Sequence, residues 1–164
     1  IVDALIGNWD RHNGNWGFLY DAVSDAIELA PVYDCGSCLY PQADDEIMRS
    51  VLTNQGDRDY RIYEIPTSAI TLEGKKIRYF DFISSLREEC SRALRRIVPR
   101  IDMGKIGKLI YDTPFLSDLQ RQFYLTMLAE RKAKILDFAL EKLEQAKDGP
   151  LPVKHKAGKD RDAR

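Results

Sequence analysis

Several absences narrow the class of this chain at once. Three cysteines in 164 residues do not make a disulfide framework, so the reducing cytoplasm is the default compartment. No stretch approaches the roughly 18 apolar residues that a bilayer crossing needs, and no signal peptide precedes the first motif. Charge of one sign is lacking too: 25 Lys and Arg face 26 Asp and Glu, a net of −1. That balance argues against a general nucleic-acid binder. What is present is an ordinary globular composition, 44% hydrophobic and 31% charged, in a length that suits one domain with a real core.

The chain begins Ile-Val-Asp-Ala-Leu-Ile, without Met, and a dense polar motif arrives by the tenth residue. A motif that early needs scaffold on both sides, and we expect a fragment whose upstream half is missing. The charges are also uneven. Residues 1–50 hold two basic and nine acidic residues, a net of −7, which is either a solvated surface or a site for a hard cation.

Residues 1–6 read as the last turns of a helix, stopped by Gly7. A polar loop from Asn8 to Asn15 follows. Trp16–Tyr20 and Ala26–Ala30 read as two short strands joined by a turn at 21–25. Asp44 and Asp45 suit an N-cap and first-turn acid, opening a helix through Ile47, Met48, Val51 and Leu52. Residues 54–76 read as irregular, punctuated by Gly56, Pro66 and Gly74, with a short strand around Ile62. A helix is expected from about Tyr79 to Val98, ended by Pro99. A short helix follows at Ile106–Ile110, then a long one from Thr113-Pro114 to about Gln145. Its apolar side makes it a core helix rather than a partner surface. Beyond Lys147 no core formers remain, so 147–164 reads as a disordered tail, a solvated linker more than a contact for nucleic acid or an acidic partner.

Three side chains in the front half are spaced as phosphoryl transfer requires. Asp10 and Asn15 lie five residues apart in one loop, and the hairpin then returns the chain to Asp34-Cys35-Gly36. A hairpin brings its ends together, so Asp34 should come back beside Asn15. One carboxylate and one amide oxygen would then meet on a Mg²⁺, with Asp10 free to receive or orient a hydroxyl proton. The chemistry asks little covalent work of a protein, but it needs metal bridging phosphate oxygens and a carboxylate holding the nucleophile in line. Gly36 is expected to permit a backbone turn that a β-carbon would restrict. The bland reading is that Asp10, Asn15 and Asp34 cap turns.

Asp10-Arg11-His12-Asn13-Gly14-Asn15 resembles the Asp-Arg-His-x-x-Asn catalytic loop of HipA-like serine/threonine kinases and their phosphatidylinositol-kinase-like relatives. Asp34-Cys35-Gly36 resembles their metal-holding Asp-x-Gly element. Ile6-Gly7-Asn8, Trp16-Gly-Phe-Leu and Ala30-Pro-Val-Tyr-Asp34 are similar to the flanking segments of that group. The resemblance covers about residues 1–40. It implies Asp10 as catalytic base and Asn15 and Asp34 as metal ligands, with Arg11, His12 and Gly36 in support. It implies a mainly α fold with a short β-hairpin, a protein-kinase-like C-lobe (the HipA-like C-terminal domain) over 1–146, with the catalytic loop at 8–15 and the Asp-x-Gly at 34–36. The implied activity moves the γ-phosphate of ATP, with Mg²⁺, to a Ser or Thr hydroxyl of a protein substrate. The family includes toxins of bacterial toxin–antitoxin pairs, so an antitoxin is an implied partner.

Two departures matter. Common protein kinases order the loop His-Arg-Asp, so His12 takes no catalytic role from that pattern. It either helps bind substrate, holds Asp10, or packs under the loop as a structural residue; Arg11 is expected to pair with an acidic neighbour. The family's glycine-rich nucleotide loop and phosphate-binding lysine have no place in this chain, which should hold half an active site and be inactive alone. Other readings stay open: a degenerate kinase lobe used for protein interaction, a kinase acting on lipids or small molecules, or a metal-dependent hydrolase, which would need a bridging carboxylate or further histidines.

Cys35-Gly-Ser-Cys38 fits C-x-x-C, a redox pair or half a zinc site. Completing ligands are poor and no thioredoxin-like βαβ pattern is visible, so both cysteines read as ordinary small residues beside Asp34. Trp9 and Trp16 flank the loop and either line a pocket or, the commoner use, pack it against the helices.

Overall fold

The computed structural model describes residues 1–65 and 71–148. Its architecture is the expected one, mainly α with a short hairpin. In chain order come α1 (Val2–Ile6), β1 (Phe18–Asp21), β2 (Ala26–Leu29), α2 (Asp45–Thr53), α3 (Gln55–Tyr63), a small ribbon of β3 (Thr71–Leu72) and β4 (Lys75–Lys76), α4 (Tyr79–Ser84), α5 (Glu88–Ile97), α6 (Met103–Asp112), α7 (Asp118–Arg131) and α8 (Phe138–Asp148). β1 pairs with β2 antiparallel, Phe18 opposite Leu29 and Asp21 opposite Ala26. A π-helical turn, Lys132–Asp137, joins α7 to α8 without a loop.

Element ends follow local chemistry. Gly7 turns left-handed at φ +64 and its N–H returns to the Asp3 carbonyl, closing α1 in the manner glycine favours. Asp44 accepts the Ile47 N–H at 2.8 Å and opens α2 as expected.

Three expectations are corrected. Much of the stretch expected to be irregular forms α3 and the β3–β4 ribbon, with Pro66 outside the described residues, and Ile62 is not in a strand: it is a buried residue of α3. Asn54 both ends α2 and caps α3, its Oδ1 accepting the N–H groups of Gly56 and Asp57. Gly56 therefore sits in a capped first turn, where its low helix propensity does little harm. The helix expected over 79–98 is two. Leu86 takes a left-handed φ of +56, and the Ser84 and Ser85 hydroxyls bond back to the Phe80 and Phe82 carbonyls, competing with helix continuation. The last helix starts at Ser117, not Thr113-Pro114, because Ser117 and Gln120 form a reciprocal capping box that satisfies two orphan donors. It ends at Asp148, past the expected limit, and the remainder of the expected tail, 149–164, lies outside the described residues.

The core lies among the helices. Phe123, Met127 and Leu128 of α7, Ile135 and Leu136 of the π turn, and Ala139 and Leu143 of α8 pack with Val51, Ile62, Ile83 and Leu94 from the surrounding helices. Each large side chain so buried contributes about 1.5–3 kcal/mol of transfer free energy. Ala4 and Leu5 enter the same core, which anchors α1 and hence the loop that leaves it at Gly7. Among the described residues no helix is long and apolar enough to cross a membrane.

Among the described residues one cation lies inside. Arg131, 1% exposed, donates from Nε to the Ala4 carbonyl at 2.7 Å and from Nη1 to the Tyr40 hydroxyl and the Arg61 and Ile62 carbonyls at 3.0–3.1 Å. Its charge is met by the carbonyl end of α3. It ties α7 to α1, α3 and the segment that follows Asp34.

Candidate active site

Residues 7–38 form an excursion whose ends meet, since the Leu39 N–H donates to the Ile6 carbonyl at 2.8 Å. The entry is set by Asn8, fully buried. Its Nδ2 donates to the Asp3 carboxylate at 2.8 Å, its Oδ1 accepts the Asp10 N–H at 3.0 Å, and its carbonyl accepts the Tyr79 hydroxyl. The Asp10 carbonyl in turn accepts the Asn15 Nδ2 at 2.8 Å and the His12 N–H at 2.9 Å. Asp10 is thus pinned through its backbone on both sides. Its half-exposed carboxylate takes no donor among the described residues, so it is available to a hydroxyl.

Asn15 is the second buried amide. With Nδ2 committed to Asp10, its Oδ1 has no protein donor among the described residues. That leaves a hard oxygen atom on the rim of a cavity of about 260 Å³, which Asn15 lines together with Asp3, Arg11, Trp16 and the strand exit Leu29–Val32.

Asp34 comes back to this place through Arg11. The guanidinium grips the Asp3 carboxylate through Nε and Nη2 at 3.0–3.2 Å. Its Nη1 donates to the carbonyls of Asn15 and, at 2.7 Å, Tyr33. One nitrogen therefore ties the peptide after Asn15 to the peptide before Asp34. The Tyr33 hydroxyl adds a bond to the Gly14 carbonyl at 3.1 Å. The hydrogen bonds with Asp3 push the Arg11 pKa up, so the clamp keeps its charge at any pH the fold survives. The acidic neighbour expected for Arg11 is Asp3, which the sequence reading overlooked; the signal was Gly7, whose helix stop reverses the chain and brings residue 3 beside residue 11.

Of the supporting residues, His12 neither holds the Asp10 carboxylate nor packs under the loop. It is exposed, and its Nδ1 accepts the Gly14 N–H at 3.0 Å, capping the 3₁₀ turn Asn13–Asn15. A β-carbon at Gly14 would stand 2.9 Å from the imidazole, so a larger residue there would displace the ring that caps the turn. The reason offered for Gly36 does not hold. Its φ is outside the left-handed region, and a β-carbon would meet nothing nearer than Asp34 Oδ1 at 4.0 Å. The left-handed residue is Asp34 itself, at φ +52. Strain of about 1–3 kcal/mol at a non-glycine residue therefore falls on the carboxylate-bearing position.

Neither tryptophan packs the loop on the helices; both stay about half exposed. Trp16 lines the cavity beside Asn15 and stands edge-on to Phe18 at 5.7 Å. Trp9 lines a second, mainly apolar cavity of about 320 Å³ with Tyr40, Pro41, Ala43, Ile47 and Ile65. The hairpin itself is uncovered: Phe18, Leu19, Tyr20, Ile27 and Leu29 are 56–68% exposed. Cys35 is exposed and Cys38 half-buried, with burial and the nearby Cys35 thiol pushing the Cys38 pKa up to about 12. Among the described residues no three His, Cys, Asp or Glu side chains gather as a metal site by themselves.

No family model matches the chain. It is 50% identical over 141 residues to a serine/threonine-protein kinase, CtkA, of Helicobacter pylori, matching 85% of this chain and 43% of that protein. The crystal structure of a proinflammatory kinase CtkA from the same organism superposes with a TM-score of 0.82 at 48% identity, over 88% of this chain and 54% of that one. The chain thus spans about half the length of the relatives it matches. Its fold, mainly helical with a short antiparallel hairpin, is kinase C-lobe-like.

Proposed function

We propose that this chain is the catalytic half of a HipA-like serine/threonine kinase that transfers the γ-phosphate of ATP to a protein hydroxyl. The observation that carries the reading is the commitment of the Asn15 Nδ2 to the Asp10 carbonyl, which leaves the Asn15 amide oxygen and the Asp10 carboxylate without protein donors among the described residues, beside the cavity that Asn15 lines. The half-identity to a serine/threonine kinase supports it.

Asn15 Oδ1 and the Asp34 carboxylate are hard oxygen donors, a pair that suits Mg²⁺, which prefers few protein ligands and keeps water and substrate phosphates in its shell. When bound, the ion supplies charge neutralisation across the transferring phosphates. Asp10 orients the acceptor hydroxyl and takes its proton. Arg11 touches no substrate in this account. It is a positioning residue that sets the distance between the two metal-holding peptides, and positioning of this kind carries much of phosphoryl-transfer catalysis. The exposed apolar hairpin is where a nucleotide lobe with its glycine-rich loop and lysine would seat, and without it the chain is inactive. By family analogy the parent protein works in the cytoplasm and has an antitoxin partner; a lipid or small-molecule acceptor is the variant reading of the same site.

A second reading, a degenerate lobe serving as an interaction module, draws on the same uncovered hairpin. Radiolabelled phosphate transfer from ATP by the full-length protein, with Asp10→Asn as control, separates the two. Transfer to protein that needs Mg²⁺ and vanishes in the variant supports the kinase. No transfer together with no ATP binding overturns it in favour of the module, and transfer to inositol lipid alone changes the acceptor.

A further inference from the structure

Cys35 and Cys38 have no task in the proposed site, yet they stand on it. The Cys38 N–H donates to the Cys35 carbonyl at 3.1 Å, so residues 35–38 form a hydrogen-bonded turn. Such a turn holds its first and last Cα atoms within about 7 Å, and disulfides span about 4.4–6.8 Å between Cα atoms. Both cysteines are free. Cys35 is open to solvent while Cys38 is half-buried behind it, an arrangement that gives a reagent one point of entry and a second thiol within reach. Cys35 also follows Asp34 immediately. Cys90, buried in α5, shares none of this.

We propose that Cys35 and Cys38 are a redox-active dithiol which small-molecule disulfides convert to an intrachain disulfide, and that closing it weakens metal–nucleotide binding at the adjacent Asp34. The Cys35 thiolate attacks one sulfur of the reagent and expels the other as a thiol, leaving a mixed disulfide. Cys38, having lost its proton, attacks the Cys35 sulfur and expels the second reagent thiol. The protein gives up two electrons and two protons, and the reagent takes up both as two thiols. The bond draws the Cys35 side chain toward Cys38. Asp34, already left-handed at φ +52, is re-aimed with it. Disturbing a group that orients a ligand lowers metal affinity about tenfold or more. The second half of the proposal rests on the kinase reading; the first does not.

The test equilibrates the full-length protein in glutathione buffers of graded oxidation, blocks free thiols by alkylation and digests with trypsin. No Lys or Arg lies between Arg11 and Arg49, so one peptide, residues 12–49, carries both cysteines apart from Cys90. The expected result is that peptide lighter by two hydrogens and resistant to alkylation, with Cys38→Ser instead trapping a glutathione adduct on Cys35. Both thiols alkylating throughout, or an adduct that persists in the unsubstituted protein, overturns the dithiol. Mg²⁺–ATP titration of the reduced and oxidised forms should differ about tenfold. Equal affinities overturn the coupling to Asp34. No nucleotide binding in either form, with the disulfide formed, overturns the kinase reading and the switch while the dithiol stands.

Discussion

The helical body and the loop-and-hairpin edge are built by opposite means. In the body, side chains from Val51 to Leu143 are buried against one another, and the fold is held by apolar area removed from water. Between Asn8 and Tyr40 only Asn8 and Asn15 are buried. Both are amides, and each makes a side-chain hydrogen bond with the backbone of the same loop. The edge keeps its shape through directional bonds and turns its apolar residues outward. Stability and chemistry should therefore come apart under mutation, because removing a functional atom at the edge exposes no core, and removing a core methyl moves no loop donor.

The sharpest way to expose that separation is Asp10→Asn in the full-length protein. Phosphate transfer should fall about 10²–10⁴-fold, the usual worth of a positioned acid–base group, while the thermal midpoint stays at the wild-type value. The reverse experiment is Phe123→Ala, at a fully buried position. Equilibrium urea unfolding should show a loss of about 3–5 kcal/mol, with the activity per folded molecule unchanged. Arg11→Lys tests the join between the regions. It keeps the charge but loses the planar fork that reaches Asp3, Asn15 and Tyr33 together. Turnover should fall about tenfold or more and stability by less than in Phe123→Ala, because the charge beside Asp3 is kept; a stability loss as large as that of Phe123→Ala would mean the edge is part of the core after all. Ser117→Ala should cost about 1 kcal/mol through the lost helix cap and leave turnover alone.

The smallest effect is acid-dependent. The Asp59 carboxyl is held below its usual range by a hydrogen bond from Lys134 at 2.5 Å. A carboxyl lowered in the folded state contributes stability above its unfolded pKa, and that contribution is lost as pH falls through the folded value. Stability measured downward from the ordinary carboxylate range should decline, and Asp59→Asn should flatten part of the decline.

What the sequence disclosed follows the range of each signal. Asp44 and Gly7 act within three or four residues, and both ends they mark are found where expected. α3 went unseen because Asn54 ends one helix and begins the next, a double duty that no single residue type announces. The break at Leu86 depends on serine hydroxyls turning to their own carbonyls, which the periodicity of apolar residues does not register. At the site, hairpin geometry is local, and the peptides beside Asn15 and Asp34 meet on Arg11. The clamp escaped notice because two of the acceptors of Arg11 are backbone carbonyls, and the carboxylate it grips belongs to the preceding helix. The backbone strain assigned to Gly36 falls on Asp34, two residues earlier.

Arg131 carries a consequence of a different kind. Three of its four acceptors are main-chain carbonyls, those of Ala4, Arg61 and Ile62. Those residues can change identity and still present the same oxygen, so the tie between α7 and the approach to the loop that begins at Asn8 is recorded in the path of the chain and not in its letters. A search for co-varying residue pairs would pass over it. Only Tyr40, which receives the guanidinium through its hydroxyl, would leave a trace of this junction in a family of sequences.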